Sequence, residues 1–312
     1  METENYLFLN YLCLPKSEID MTPFFTRLAL TILILFTLID SAIAQKVVEP
    51  KDTPSEWSTP YQPFQIVGNL YYVGTYDLAC YLIVTPKGNI LINTGLANSS
   101  QQIKANIEKL GFKYTDTRIL LTTQAHYDHM GAMAAIKKAT GAKMMVNKAD
   151  AQVMKDGGSS DYALGGKESS YAPVLADRLL ANGDEIKLGN TTVVMLHHPG
   201  HTKGSSSFIM DIKDGNKTYK VLIANMPTIV TEKKFNDVVS YKNIASDYAF
   251  TIAAMKKLSF DIWLSSHASQ FNLHKKRQPN TPYNPSLFAD RKGYDQSLNK
   301  LEEDYLKKIA QQ

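Results

Sequence analysis

Between Thr122 and Gly131 the chain reads Thr-Thr-Gln-Ala-His-Tyr-Asp-His-Met-Gly, which gathers His126, Asp128 and His129 within four residues. Imidazole and carboxylate are good donors to zinc. In an extended loop His126 and Asp128 point apart, and His129 falls near the first turn of a following helix. One short segment can then serve two cations about a bridging water apart, as two-metal hydrolysis requires. A lone histidine in a polar loop usually does no more than hydrogen-bond. Three donors this close together point to metal chemistry instead.

Two more histidines follow strand-like runs. His201 lies in His197-His198-Pro199-Gly200-His201-Thr202, and His267 in Ser265-Ser266-His267-Ala268-Ser269. Donors at the ends of several strands are how a rigid scaffold holds a site. His197 ends its strand and His198 precedes a proline, so both are assigned to packing or to support of the ligands. His274 sits among lysines and is expected on the solvated surface.

The elements that must position these donors are legible in outline. Strands are expected at 70–75 and 79–84, with Pro86-Lys87-Gly88-Asn89 turning into a third at 90–92. A helix is expected over 101–110, with Ile103, Ile107 and Leu110 on one face and Gly111 as its stop. The buried run Ile119-Leu120-Leu121 feeds the His/Asp loop, a helix over 131–140 follows, and a strand over 143–146 comes next. Residues 156–171 are Gly/Ser-rich and read as a mobile surface loop.

Further strands are expected at 185–188 and 191–197, joined by Gly189-Asn190, then at 208–211, 219–224 and 262–264. Ile244, Tyr248, Ile252, Met255 and Leu258 mark one helix; Tyr294, Leu298, Leu301, Tyr305 and Ile309 mark the last. Strands followed by helices in each half imply an α/β fold, two β-sheets packed face to face with helices outside.

With 44% hydrophobic and 21% charged residues, the 312-residue chain has the composition of a globular protein and can bury one large core. Residues 28–39 form an uncharged apolar run of twelve, short for a bilayer span, after Arg27 and before Ala42-Ile43-Ala44. Residues 1–44 are therefore read as an N-terminal extension and cleaved signal peptide, with Met21 the expected true start. Residues 45–312 are read as a single domain, secreted to the periplasm of a Gram-negative bacterium and without stable membrane association.

Beyond residue 44 the chain has 32 basic and 25 acidic residues, a net charge of +7. Lys275-Lys276-Arg277 is its only tight basic run, and no aromatics interleave with a basic stripe, so no nucleic-acid partner is expected. A monomer is expected. Cys80 is the only cysteine past residue 44, so the fold must rest on its core without an internal disulfide. Its apolar setting predicts a buried, inert thiol.

The order Thr-x-x-His-x-Asp-His, then Gly-His-Thr, then a late Ser-His resembles the metallo-β-lactamase superfamily, from about Phe64 to the C-terminus. The resemblance implies its αβ/βα four-layer sandwich. Within the superfamily the chain is most similar to class B, subclass 3, of the GOB type, which carries glutamine where most relatives have the first histidine, as Gln124 does here. Subclasses 1 and 2 use a cysteine ligand, and no cysteine follows Cys80.

The resemblance implies two zinc ions, the first held by Gln124, His126 and His201 and the second by Asp128, His129 and His267. The Gln124 site is expected to be the weaker, because a neutral amide is a poorer donor than imidazole. It further implies hydrolysis of the β-lactam amide bond of penicillins, cephalosporins and carbapenems by a metal-bound hydroxide, and so antibiotic resistance. Asp128 would orient the nucleophile, and Thr228 would donate to the substrate carboxylate, while Met226 stands where many relatives have serine.

Asn93 replaces an aspartate common at the end of its strand. Thioesterase or lactonase activity on the same fold is the alternative. Many such enzymes carry a metal-bridging aspartate after the strand at 219–224, where this chain has Asn225-Met226. A purely structural zinc site is a weaker alternative, because structural sites are usually closed four-ligand sets, often with cysteine.

Overall fold

Along β3 (Tyr81–Thr85) the side chains alternate between two cores, Tyr81 and Ile83 entering one and Leu82 the other. The neighbouring strands β4 (Gly88–Ile92) and β5 (Thr117–Leu121) repeat the pattern: Ile90, Ile92, Ile119 and Leu121 face one way, Leu91 and Leu120 the other. A sheet with two apolar faces must be covered on both sides. The structure, a computed structural model, describes residues 46–312, so the expected signal peptide and the Met21 start lie outside the described residues.

Among the described residues the strands form two sheets. The first runs β1 (Phe64–Val67), β2 (Leu70–Tyr72), β3, β4, β5, β6 (Lys143–Asn147), β7 (Arg178–Leu180). Its β1–β4 part is antiparallel and its β4–β7 part parallel. The second follows the order β12 (Ile262–Ser265), β11 (Lys217–Ala224), β10 (Ser206–Asp214), β9 (Thr191–His197), β8 (Glu185–Leu188). Only its β11–β12 pair is parallel.

Tyr81, Ile83, Ile92 and Leu121 from the first sheet share a core with Val193, Met195, Phe208 and Ile223 from the second. Each such fully buried side chain contributes about 1.5–3 kcal/mol. Helices Ser99–Lys109 and Met133–Thr140 cover the outer face of the first sheet, where Ile103, Ile107, Met133 and Ile136 meet Leu82, Leu91 and Leu120. Helix Arg291–Ile309 covers the second, with Tyr294 set edge-on against Trp263 at 5.4 Å, and helix Ile244–Met255 packs beside it. This is the αβ/βα sandwich expected from the sequence.

Several local expectations need correction. The helix expected over 131–140 begins at Met133, because a separate turn, Tyr127–Met130, precedes it. Asp128 and His129 therefore both ride on that turn, and only His126 is extended. Strands β1 and β7 were not expected; at four and three residues they are too short to show alternation. The 156–171 segment, exposed at 164–168, is anchored on either side of that stretch. Gly157 and Gly158 take positive φ, Ser169 and Tyr171 are fully buried, and Tyr162 Oη donates to the Gly200 carbonyl at 3.0 Å.

Candidate metal centre

Parallel pairing of β4 with β5 and of β11 with β12 brings their C-terminal ends to one rim, where open α/β sheets place their ligands. The segment leaving β5 is held there by its backbone. Asn93, in the left-handed region at φ 62°, accepts through Oδ1 from the Thr123 amide at 2.9 Å. Its Nδ2 points to the Ala79 carbonyl at 3.4 Å, a donation that an aspartate there could not make. Asn225 Nδ2 donates to the Thr123 carbonyl at 3.0 Å, which ties the exit of β11 to the same loop. At Gly131 a Cβ would lie 2.4 Å from the Leu96–Ala97 backbone, so the helical turn can approach only as glycine.

Asp150 fastens this loop to the one that carries His201. Its Oδ2 accepts from the Ala125 amide at 3.0 Å and from Thr202 Oγ1 at 2.7 Å, and its Oδ1 accepts from the Gly204 amide at 2.7 Å. Burial pushes this carboxyl up to about 6, against the lowering effect of those donors.

The predicted donors converge in two groups. Asp128 Oδ2 lies 3.1 Å from His129 Nε2 and 3.3 Å from His267 Nε2, with one ligand atom of each within 4.8 Å of the others. Beside them His201 Nε2 lies 3.0 Å from the Gln124 amide nitrogen and 3.1 Å from His126 Nδ1. A half-turn of that amide would present its oxygen instead. Ligands about 2.0–2.1 Å from a tetrahedral zinc stand roughly 3.3 Å apart, so both groups have the spacing of a coordination shell.

Gln124, His126, Asp128, His129 and His201 are all buried. Among the described residues, His126 Nε2 and both ring nitrogens of His129 are buried without a hydrogen-bond partner. Each such orphan costs about 1–3 kcal/mol. His126 Nε2 faces Asp161, away from the cluster, but the orphaned His129 Nε2 beside the Asp128 carboxylate fits a cation, so the residues present suit a metal.

The rings are aimed from behind. His201 Nδ1 is 2.7 Å from the Thr228 carbonyl, which can only accept, so the proton sits on Nδ1 and the Nε2 lone pair faces the cluster. Burial, and then His126 beside it, holds this ring down to about 3. His267 Nδ1 is 3.0 Å from Asp77 Oδ2, which also accepts from Trp57 Nε1 at 3.1 Å. Burial works to raise the Asp77 carboxyl, but His267 and the Ser269 amide outweigh it and hold it at about 2. Burial likewise works to lower His267, and contact with Asp128 and Asp77 lifts it to about 9.

A pocket of about 330 Å³ opens over the cluster, walled by Trp57, Tyr127, Leu164, Met226 and Val230, with Thr228 at its edge. Its size suits a small-molecule ligand. Thr228 is exposed, and its carbonyl also accepts from Tyr248 Oη at 3.0 Å. His197 and His198 stay out of the cluster, on Asn147 and Ser207 respectively, each at 2.7 Å. His274 stays out of the cluster as well, at the surface. It is half-buried, stacks on Tyr76 with centroids 3.7 Å apart, and donates to the Tyr76 carbonyl. Cys80 is buried and its thiol pushed far up by burial, as an inert cysteine should be.

Asp77, Asp150 and Trp57 escaped the sequence reading. Their roles depend on partners distant in the chain, and no local spacing marks them.

Two face-packed sheets with a buried His/Asp rim define a metal-dependent hydrolase. Residues 74–214 match the metallo-beta-lactamase superfamily. The class B3 di-zinc metallo-beta-lactamase LRA-12 from an Alaskan soil metagenome is 65% identical, with TM-score 0.83 over 84% of this chain and 99% of that one. The metallo-beta-lactamase GOB-18 from Elizabethkingia meningoseptica is 59% identical, with TM-score 0.85 over 86% of this chain and 100% of that one. An N-acyl homoserine lactonase from Bacillus sp is 21% identical over 202 residues, 57% of this chain and 74% of its own. The chain belongs to the metallo-β-lactamase superfamily, in the B3 group and similar to GOB.

Proposed function

We propose that this protein is a zinc-dependent β-lactamase that opens the β-lactam amide bond of penicillins, cephalosporins and carbapenems. The observation that carries the reading is the convergence of Gln124, His126 and His201 beside Asp128, His129 and His267, in a chain 59% identical to GOB-18. Gln124, His126 and His201 would hold one zinc, and Asp128, His129 and His267 the other. When bound, zinc supplies a water activated at neutral pH and a Lewis acid for the amide carbonyl.

The chain's own residues do the positioning. Burial works to raise the Asp128 carboxyl, but His129 and His267 hold it well below the usual range, so it is anionic at neutral pH. Asp128 lines the pocket, where it would accept a hydrogen bond from the attacking water and orient it. Trp57, Leu164 and Met226 exclude bulk water around the ring. Thr228 Oγ1, at the pocket edge, donates to the substrate carboxylate.

The mature protein is residues 45–312, a monomeric periplasmic enzyme, with the signal cleaved after Ala44. Among the described residues no helix is long and apolar enough to cross a membrane. N-terminal sequencing and size-exclusion chromatography test these points. For the activity, the test is carbapenem turnover by the purified mature chain, with zinc content measured on the same sample and an acyl homoserine lactone run in parallel. Lactone turnover without β-lactam turnover would overturn the reading.

A further inference from the structure

Taking the proposed zinc ligands as given, we propose that Asp161 is a positioning residue for the first metal site, acting through His126. The first donor set, Gln124, His126 and His201, carries no carboxylate, whereas the second contains Asp128. An anion one ring away would supply what the amide ligand lacks. Asp161 Oδ2 stands 3.4 Å from His126 Nε2, with both side chains 3% exposed. The opposite nitrogen, Nδ1, is the one 3.1 Å from His201 Nε2. A carboxylate at Nε2 keeps the proton there and leaves the Nδ1 lone pair for the cation. The 3.4 Å contact falls short of a formed hydrogen bond, and a contraction of roughly 0.4 Å completes one.

The carboxylate cannot simply swing away. Its Oδ1 accepts from the Ala163 amide at 2.9 Å and the Leu164 amide at 2.8 Å, a side-chain turn that fixes the rotamer. The Asp161 amide is itself held by the Gly158 carbonyl at 3.0 Å. Gly165 packs so closely that a Cβ there would lie 2.2 Å from the Asp161 carbonyl oxygen. One oxygen thus orders the turn that carries Leu164 to the pocket wall, and the other faces His126. The Gly/Ser-rich loop is thereby coupled to the metal ligand as well as to the substrate pocket.

The two functions of the carboxylate separate by substitution. Asp161→Asn keeps Oδ1 for the Ala163 and Leu164 amides but removes the charge facing His126. Asp161→Ala removes both. Zinc binding to the metal-free, folded mature chain would be measured by competition with a chromophoric chelator, with circular dichroism as the check on folding. Both variants should lose about 10–100-fold in affinity at the weaker site, with the tighter site within a few-fold of the parent. Only Asp161→Ala should also raise KM, because only it releases Leu164.

Parent-like zinc affinity in both variants would overturn the proposal. So would weakening in Asp161→Ala alone, since that marks a purely structural turn. Should the alanine variant fail to fold, the asparagine variant decides. The deciding readouts are metal affinities, so failure here stands apart from failure to hydrolyse β-lactams.

Discussion

Asp77 Oδ2 and His267 Nδ1 lie 3.0 Å apart although 190 residues separate them in the chain. The same carboxylate takes Trp57 Nε1 on Oδ2 and the Ser269 amide on Oδ1 at 2.9 Å, so its position is fixed from three directions. Such a carboxylate sets both the ring plane and the protonated nitrogen of a ligating histidine. Asp77→Ala should weaken zinc at the Asp128 site by about 10–100-fold. Trp57→Phe, which keeps the ring against His267 but removes one donor, should change it far less. Chelator competition on both variants tests the difference.

Gln124 leads to the opposite expectation. A neutral amide is a poorer zinc donor than imidazole, so partial metal loading should empty the Gln124 site first. Gln124→His should tighten that site while leaving turnover free to rise or fall, because the surroundings are shaped for an amide. If titration finds no tighter binding, Gln124 is not a ligand.

Replacing histidines tests the assignment of the site. His267→Ala removes a donor aimed at Asp128 and should lower kcat/KM by about two orders of magnitude. His274→Ala loses a stack on Tyr76 and one hydrogen bond, and should stay within a few-fold of the parent. Equal losses would contradict the placement of His267 in the site.

His198 predicts a pH effect on stability. Burial holds its ring down to about 3, whereas an unfolded histidine titrates near 6.5. Below about pH 6.5 the unfolded chain takes a proton that the folded one refuses. Stability is therefore full above that pH and falls on acidification, by at most about 1.4 kcal/mol per unit. Urea midpoints of the metal-free protein between about pH 7.5 and about pH 5.5 should drop more for the parent than for His198→Gln. Parallel curves would count against it.

The donors themselves were legible because chemistry concentrates them: three in four residues after a buried strand, and two more at strand ends. What supports them was not. Asp77, Asp150 and Asp161 are ordinary carboxylates in sequence, and each gains its role from a contact that only the packed sheets create. The packing of the loop carrying Asp161 was hidden for a related reason. Its glycines, read as looseness, are what allow it to fold tightly, Gly157 lying against Tyr171 and Gly158 against Ser170. The two-layer core followed from strands succeeded by helices in each half of the chain, whereas the strand order had no signal in the sequence. The short β1 and β7 gave no period to detect.

Each donor set draws on both sheets: the loop after β5 supplies two members, and one comes from beyond β9 or β12. Neither half of the chain can assemble a complete shell alone. Contacts so far apart along the chain are expected to close late in folding, after the sheets have docked. On that order a cation would bind after the transition state. It should act as a rivet, slowing the unfolding rate many-fold while leaving the refolding rate nearly unchanged.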